Sequence, residues 1–248
     1  MSDDAEESRD VDQEASDGRT PSTCSFPASY STPVLDSIRR LTPANAVRIL
    51  DPFAGPNGIA RLADTLGTFS RSTGRRYLGV EIEPEWAQQG LDTIVGDATK
   101  LRDIPGVVAF APDCVITSPP YGNRMADQYM GDPRGSRRHT YAIALGRTLD
   151  DYSAARYQWG PKYQTILSES VREIYNILPE GGHFILNIAN HYRKHTLQLV
   201  VPWAVELILK RPFELRSWDV VKARKLRDGQ NHEARDDHEQ IFLFEKVS

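Results

Sequence analysis

The hydrophobic and polar positions of this chain switch repeatedly between strand-like and helix-like spacing. Short apolar runs with turn residues at their ends predict buried strands, and apolar residues three or four positions apart predict amphipathic helices. The predicted helices cover about 33–42, 59–66, 84–90, 166–178 and 196–210. The predicted strands cover 47–51, 77–80, 93–95, 114–117, 184–188, 215–221 and 241–245. Strands that alternate with helices indicate an α/β fold with a mostly parallel sheet.

Two polar stretches interrupt this alternation. Residues 223–238 join the last two strands without a helix, so these strands are expected to pair as an antiparallel hairpin on one edge of the sheet. Residues 122–160 form a longer connection than a compact domain usually contains, and such loops are more often functional than accidental. Trp203 and Trp218 are interpreted as core residues.

Charge is unevenly distributed over the 248 residues. Residues 1–20 contain eight acids and two arginines, a net charge of −6, so the remainder carries +2 within the overall −4. This composition predicts a disordered acidic tail over 1–25 and a single domain over 26–248. The chain has no apolar run of membrane-spanning length and no basic, apolar leader, so a cytoplasmic protein without membrane contact is expected.

A glycine-bearing turn follows the first predicted strand, from Asp51 through Gly55 to Gly58. Small residues at such a turn let the backbone approach a ligand at the N-terminus of the next helix. The turn lacks the Gly-Lys-[Ser/Thr] of triphosphate loops and the Gly-x-Gly-x-x-Gly of dinucleotide binders. It resembles motif I of the S-adenosylmethionine-dependent amino-methyltransferases, Asp-Pro-Phe-x-Gly-x-Gly, with the second glycine displaced to Gly58.

This resemblance implies S-adenosylmethionine as cofactor and assigns residues to each of its parts. Asp51, Phe53 and Gly55 belong to the motif that holds the methionine end, and Thr32 with Pro33 resembles the motif that closes over it. Glu81 corresponds to the acceptor for the ribose hydroxyls, and Asp97 with Ala98 to the adenine site. Acids at strand ends are also frequent helix caps, which remains the alternative for Glu81 and Asp97.

The fourth predicted strand runs into Ser118-Pro119-Pro120-Tyr121. An exocyclic amine of a base is a poor nucleophile because its lone pair is delocalised into the ring. The Ser118 hydroxyl and the Pro119 carbonyl can accept hydrogen bonds from such an amine, and the two prolines stiffen the turn. Tyr121 offers a ring face for a base rotated out of a duplex. Paired prolines also commonly mark ordinary turns, which is the structural alternative.

This tetrapeptide resembles motif IV of the DNA amino-methyltransferases, whose serine form is most often associated with N4 of cytosine and whose Asp or Asn form is commoner for N6 of adenine. The resemblance spans about 30–245 and implies a class I, Rossmann-like methyltransferase with a seven-stranded sheet, acting on double-stranded DNA as in restriction-modification. Three alternatives stay open: an RNA N2-guanine methyltransferase, a protein-glutamine methyltransferase, and a non-catalytic nucleic-acid-binding protein that retains the fold.

Other chemistries are set aside on the residues present. C5-cytosine methylation needs a nucleophilic cysteine, but Cys24 lies in the predicted tail and Cys114 in an apolar strand, where a buried, inert thiol is expected. His191 and His195 are four residues apart without the helical Glu of a zinc hydrolase motif, so no metal is predicted.

Nucleic-acid contacts are predicted in the long connection, where arginines alternate with aromatic residues. The residues expected to bind phosphate are Arg124, Arg134, Arg137 and Arg138. A solvated loop with a few packed aromatics is the alternative, and Arg224, Lys225, Arg227 and Arg235 form a second candidate patch. Asn187, Asn190 and His191 lie at the end of the fifth strand and are expected to bond loop backbone groups rather than to reach the acceptor site.

Overall fold

The computed structural model describes residues 30–56, 74–122, 141–193, 196–222 and 238–248. The predicted acidic tail, the predicted helix over 59–66 and the candidate patch from Arg224 to Arg235 lie outside these residues. The disordered tail, the helix and the basic patch therefore remain predictions.

Seven strands form one sheet in the order β3-β2-β1-β4-β5-β9-β8. The sheet strands are β1 (Arg48–Asp51), β2 (Arg76–Glu81), β3 (Thr93–Val95), β4 (Cys114–Thr117), β5 (His183–Ile188), β8 (Phe213–Lys222) and β9 (His238–Lys246). β6 (His191–Arg193) and β7 (Thr196–Gln198) pair separately. Strands β1 to β5 are parallel, and β9 is antiparallel to both β5 and β8. The predicted α/β, Rossmann-like fold with a mostly parallel seven-stranded sheet and a C-terminal hairpin is confirmed.

Helices lie before, between and after the parallel strands. They are α1 (Thr32–Leu41), α2 (Pro84–Ala87), α3 (Pro105–Phe110), α4 (Tyr141–Leu145), α5 (Pro161–Ile177) and α6 (Val200–Leu209), with two 3₁₀ helices at Ala98–Asp103 and Ala154–Arg156. Four of them, α1, α2, α3 and α5, have a proline in the first turn, where the missing N–H needs no partner.

The sheet is covered on both faces. Successive strand residues point to opposite faces, so Leu50 and Val115 belong to the larger core cluster while Ile49 and Ile116 belong to the smaller one. The larger cluster includes the apolar face of α5, and the smaller one includes Val34 and Ile38 of α1. Burial on both faces explains why these strands are continuous apolar runs in the sequence.

The chain reverses its direction across the sheet between β1 and β4. β1 pairs with β2 on one side and with β4 on the other, where Leu50 lies opposite Val115. Ligands of open α/β sheets bind at such a switch point, beyond the carboxyl ends of the strands. The first and fourth strands of the chain are therefore neighbours at this point, and their terminal residues lie at one edge.

Two predictions are wrong, and two helical segments were not predicted. The helix predicted over 196–210 begins at Val200, because residues 196–198 pair with β6 as β7. Trp218 is 62% exposed rather than in the core, because it lies on β8 at the edge of the sheet. Trp203 packs against the core and lies edge-on to Trp159, as expected. The helical segments over 98–110 were not predicted, since each is only six residues long and Pro105 begins the second one.

No helix in the part of the chain that the structure describes has both the length and the apolar character needed to cross a bilayer.

Candidate active site

The ends of β1 and β4 are joined through Asp51. This carboxylate is fully buried, and its Oδ1 accepts hydrogen bonds from the Phe53 backbone N–H at 3.1 Å and from the Thr117 hydroxyl at 2.6 Å. The predicted cofactor turn and the residue directly before Ser118 thus share one buried acceptor.

The turn after β1 lies directly on β2. Ala54 donates a backbone hydrogen bond to Val80 at 3.0 Å, and Gly55, which has a φ of 56°, donates its N–H to Glu81 Oε2 at 2.8 Å. A Cβ at Gly79 would come within 2.8 Å of the Ala54 Cβ, so glycine at that position permits the close approach. Gly58 lies outside the described residues.

Glu81 is held at the end of β2 by backbone groups on both oxygens. Its Oε1 accepts from the Glu83 N–H at 2.9 Å, complementing the bond from Gly55 to Oε2. Burial raises the pKa of Glu81 to about 7, and the neighbouring charges of Glu83 and Asp51 add to this effect while the two backbone hydrogen bonds oppose it. Each oxygen retains a second lone pair for a further donor.

Asp97 lies after β3 and caps the 3₁₀ helix that follows it. Its Oδ1 accepts from the backbone N–H and the hydroxyl of Thr99, both at 2.8 Å, and Lys100 lies 3.8 Å from Oδ2. The neighbouring Ala98 is buried. The structural alternative, a helix cap, is therefore realised, while Oδ2 keeps acceptor capacity for a ligand.

The charge of this edge fits a cationic ligand. Asp51, Glu81 and Glu83 are buried carboxylates within a short stretch of the sheet edge, and the repulsion of Glu81 by the other two adds to the effect of burial on its pKa. S-adenosylmethionine carries a sulfonium and an ammonium group against one carboxylate, so a bound molecule would offset that repulsion. The residues present fit this cofactor.

The turn after β4 forms a polar network with two residues that sequence reasoning did not place there. Ser118 Oγ and Tyr121 OH lie 2.9 Å apart, and Tyr121 OH donates to Glu239 Oε2 at 3.0 Å. Asn187 Nδ2 lies 2.7 Å from Glu239 Oε2, 3.0 Å from Tyr121 OH and 3.1 Å from Ser118 Oγ. The turn is thus tied to β5 through Asn187 and to β9 through Glu239.

The expectation for the residues after β5 is half right. Asn190 Oδ1 accepts from the backbone N–H of Val201 at 3.0 Å, as expected for a polar residue at a strand end. Asn187 instead bonds side chains of the acceptor turn, so that expectation is wrong for Asn187. His191 lies in β6, and His195, four residues further along the sequence, lies outside the described residues.

The N-terminus of α1 lies near this network. Thr32 and Pro33 form its exposed first turn. Burial raises the pKa of Tyr30 well above its ordinary value, with Asp51 and Glu239 among the neighbouring charges that add to it. Tyr30 was not singled out in the sequence, although it immediately precedes the Ser31-Thr32-Pro33 helix start.

The second half of the long connection packs beside Glu81. Arg147 forms ion pairs with Glu83 at 2.8 Å and with Glu85, and the backbone N–H of Asp150 donates to Glu83 Oε1 at 2.9 Å. Tyr141 lies edge-on to Trp86 at 5.2 Å between ring centroids. These contacts dock residues 141–156 on the cofactor side of the sheet edge.

The remaining predicted residues divide into two groups. Arg124, Arg134, Arg137 and Arg138 lie outside the described residues, so their phosphate contacts stay predictions. Cys114 is fully buried in β4, and burial raises the pKa of its thiol far above the ordinary value. No cluster of metal-ligating side chains occurs within the described ranges.

Comparison with protein families gives one match. Residues 112–248, more than half of the chain, match the family model N6_N4_Mtase, described as DNA methylase. The matched region begins just before β4 and includes the Ser118–Tyr121 turn, Asn187 and Glu239. No curated protein sequence matches this chain.

Solved structures with the same fold share little sequence with this chain. NSun6 from Pyrococcus horikoshii with SFG is 15% identical, with a TM-score of 0.50 over 88% of this chain and 53% of that one. TrmN from Thermus thermophilus is 17% identical, with a TM-score of 0.49 over 86% and 48%. This chain spans about half the length of those two proteins, and at 15% identity the likeness to NSun6 concerns the fold.

Proposed function

Because the chain belongs to the DNA methylase family, we propose that it transfers a methyl group from S-adenosylmethionine to an exocyclic amino group in double-stranded DNA. The favoured acceptor is N4 of cytosine, with N6 of adenine second, in keeping with the serine in Ser118-Pro119-Pro120-Tyr121. Residues 26–248 would act as one methyltransferase domain.

One observation carries this proposal: the acceptor turn and the cofactor turn follow adjacent parallel strands. β1 pairs with β4, and the Thr117 hydroxyl reaches Asp51 at 2.6 Å across that pair. An amine held at Ser118 would therefore lie beside a donor held at Gly55, as transfer in a single displacement requires.

The cofactor residues would divide its groups among them. Asp51, Phe53 and the Gly55 backbone would hold the methionine end under Thr32 and Pro33. Glu81 would accept from the ribose hydroxyls, and Asp97 with Ala98 would face the adenine. When bound, S-adenosylmethionine supplies an electrophilic methyl group, and the surrounding carboxylates favour its cationic form over the uncharged thioether product.

The acceptor residues would raise the nucleophilicity of the target amine. Ser118 Oγ and the Pro119 carbonyl would accept from its two N–H groups, which localises the nitrogen lone pair toward the methyl group. The Tyr121 ring would stack on the extruded base, and Pro120 would keep the turn rigid. Arg124, Arg134, Arg137 and Arg138 would contact DNA phosphates.

Product identification tests this function. The 248-residue protein is incubated with methyl-labelled S-adenosylmethionine and either mixed double-stranded DNA or mixed RNA, and the nucleic acid is digested to nucleosides for mass analysis. N4-methylcytosine from DNA is expected. N6-methyladenine would move the acceptor to adenine, whereas label confined to RNA, or to the protein itself, would overturn the DNA assignment.

Calorimetry adds an independent arm for the non-catalytic alternative. A protein that retains only the fold would show no cofactor binding at millimolar concentration. Tyr121→Ala should lower methyl transfer sharply while cofactor affinity stays close to wild type, because the ring contacts the base rather than the cofactor. Trp218→Ala, at an exposed aromatic residue of the edge strand β8, serves as the control.

A further inference from the structure

Glu239 is the acidic end of the polar network at the acceptor turn. It lies near the start of β9, which is antiparallel to β5, so it reaches the same sheet edge as Ser118 and Asn187. Its Oε2 accepts from Tyr121 OH at 3.0 Å and from Asn187 Nδ2 at 2.7 Å. This carboxylate belongs to neither of the sequence motifs, and the reaction proposed above gives it no role.

The chemistry of a carboxylate fixes the direction of the hydrogen bonds. An ionised carboxylate only accepts, so the Tyr121 hydroxyl must donate to Glu239. Burial and the nearby Glu239 charge raise the pKa of Tyr121 well above its ordinary value, which keeps this proton on the phenol. The 2.9 Å contact between Tyr121 OH and Ser118 Oγ then requires Ser118 to be the donor.

This direction leaves Ser118 with an acceptor toward the target. A hydroxyl has one hydrogen and two lone pairs. The hydrogen is used toward Tyr121, and one lone pair receives Asn187 Nδ2 at 3.1 Å. The second lone pair remains for an incoming N–H. If Tyr121 instead donated to Ser118, the Ser118 hydrogen would turn toward the amine and oppose its N–H group.

The Asn187 amide is oriented by the same carboxylate. Contact at 2.7 Å with Glu239 requires the nitrogen, not the oxygen, on that side. The Asn187 Oδ1 is consequently left buried, and no residue of the described ranges donates to it. A buried acceptor of this kind calls for a donor, and Asn187 Oδ1 would share with the Pro119 carbonyl the second N–H of the base amine.

We propose that Glu239 is a positioning residue that directs the Glu239–Tyr121–Ser118 chain, so that Ser118 Oγ and Asn187 Oδ1 both present lone pairs to the target amine, and that it takes up the proton this amine loses. The inference rests on the proposed amino-methyltransferase function. It assigns to a residue of β9 a role that the Ser118–Tyr121 turn cannot perform alone.

The proton transfer balances along this chain. The target nitrogen forms a bond to the methyl carbon while the carbon–sulfur bond breaks and its electron pair stays on sulfur. The methylated nitrogen gives its surplus proton to Ser118 Oγ, Ser118 gives its own hydrogen to Tyr121, and Tyr121 gives its hydrogen to Glu239. The products are the neutral methylated amine, the thioether and a protonated Glu239.

Glu239→Gln tests the direction of these hydrogen bonds. The glutamine amide can donate to the Tyr121 hydroxyl, so the hydrogen bonds from residue 239 through Tyr121 to Ser118 can then run in the opposite direction. The single-turnover rate of DNA methylation should fall about ten- to a hundredfold, the loss expected for one charge-assisted hydrogen bond. KM for S-adenosylmethionine and the thermal unfolding midpoint should remain near wild type. Glu245→Gln, the same change near the other end of β9 where Glu245 pairs with Arg216, should leave the rate unchanged.

Tyr121→Phe provides the second variant, since it keeps the aromatic ring but removes the hydroxyl that links Ser118 to Glu239. If Glu239 acts through Tyr121, the double variant should be no slower than the slower single variant. A wild-type rate for Glu239→Gln, or independent multiplication of the two losses, would overturn the proposal. Failure of the proposed function is distinct, because the wild-type protein itself would then methylate no DNA.

Discussion

Thr117 and Asp51 form a 2.6 Å hydrogen bond between two fully buried side chains at the carboxyl ends of β4 and β1. Thr117 precedes the acceptor serine, and Asp51 begins the turn that leads to Gly55. The two halves of the proposed reaction thus rest on one pair of side chains. A change at Thr117 should therefore affect both stability and the proposed cofactor turn.

Replacing Thr117 with valine keeps the shape but removes the donor. Asp51 Oδ1 would lose one of its two hydrogen bonds to described groups, and because Asp51 is buried the free energy of unfolding should fall by about 2 kcal/mol. Urea denaturation measures this loss, and calorimetry should show weaker cofactor binding. Thr148→Val at an exposed threonine is the control. Equal stability of the two variants would mean that the bond contributes little.

The pKa of Glu81 predicts how stability depends on pH. A folded-state pKa raised from 4.5 to about 7 means that the folded protein binds this proton more tightly than the unfolded chain. The contribution of Glu81 is therefore fully present below about pH 4.5 and is lost as the pH rises to about 7, a change of about 3 kcal/mol. Urea denaturation of wild type and Glu81→Gln across this range should show the slope in wild type alone.

Cofactor binding should offset the free-energy cost of ionising the buried Glu81. A cation beside Asp51 and Glu81 favours the ionised form of Glu81, so binding near pH 7 should release protons and affinity should rise with pH. Calorimetry in two buffers of different ionisation enthalpy counts the protons. S-adenosylhomocysteine, which lacks the sulfonium charge, should release fewer. Equal proton release by the two ligands would contradict the electrostatic account.

How far the sequence predicts this site depends on whether its parts are local. Asp51 to Gly55 and Ser118 to Tyr121 are contiguous turns directly after strands, so the predicted strands and the parallel topology expected of them were enough to place both turns at one edge. Glu239 and Asn187 are 52 residues apart and meet only because β5 and β9 pair. Their partnership depends on strand register, and the polar stretch before Glu239 offered no periodic signal. The prediction that Trp218 lies in the core was wrong for a similar reason, since its exposure depends on the position of β8 at the end of the strand order.

Arg147 should hold residues 141–156 on the sheet. It pairs with Glu83, whose side chain is fully buried, and with Glu85, whose pKa it lowers. Arg147→Gln leaves the Glu83 charge without its ion pair, and since the Arg147 side chain is 39% exposed a moderate loss of about 2 kcal/mol is expected. Hydrogen exchange should rise at Asp150, whose N–H bonds Glu83.

A surface pair provides the comparison for Arg147. Arg39 and Asp36 form an exposed ion pair within α1, so Arg39→Gln should change the free energy of unfolding by less than about 0.5 kcal/mol. If Arg147→Gln is as mild as Arg39→Gln, and exchange at Asp150 is unchanged, then the apolar contact of Tyr141 with Trp86 holds the segment instead.

Cys114 should be dispensable for methyl transfer. Its thiol is fully buried in β4 and burial raises its pKa, so it is neither ionised nor accessible at neutral pH. In a Cys24→Ser background, a thiol reagent should label Cys114 only after denaturation. Cys114→Ala should cost about 1 kcal/mol of stability and retain the methylation rate. A stable Cys114→Ala protein that binds the cofactor but transfers no methyl group would instead indicate a covalent mechanism through this thiol.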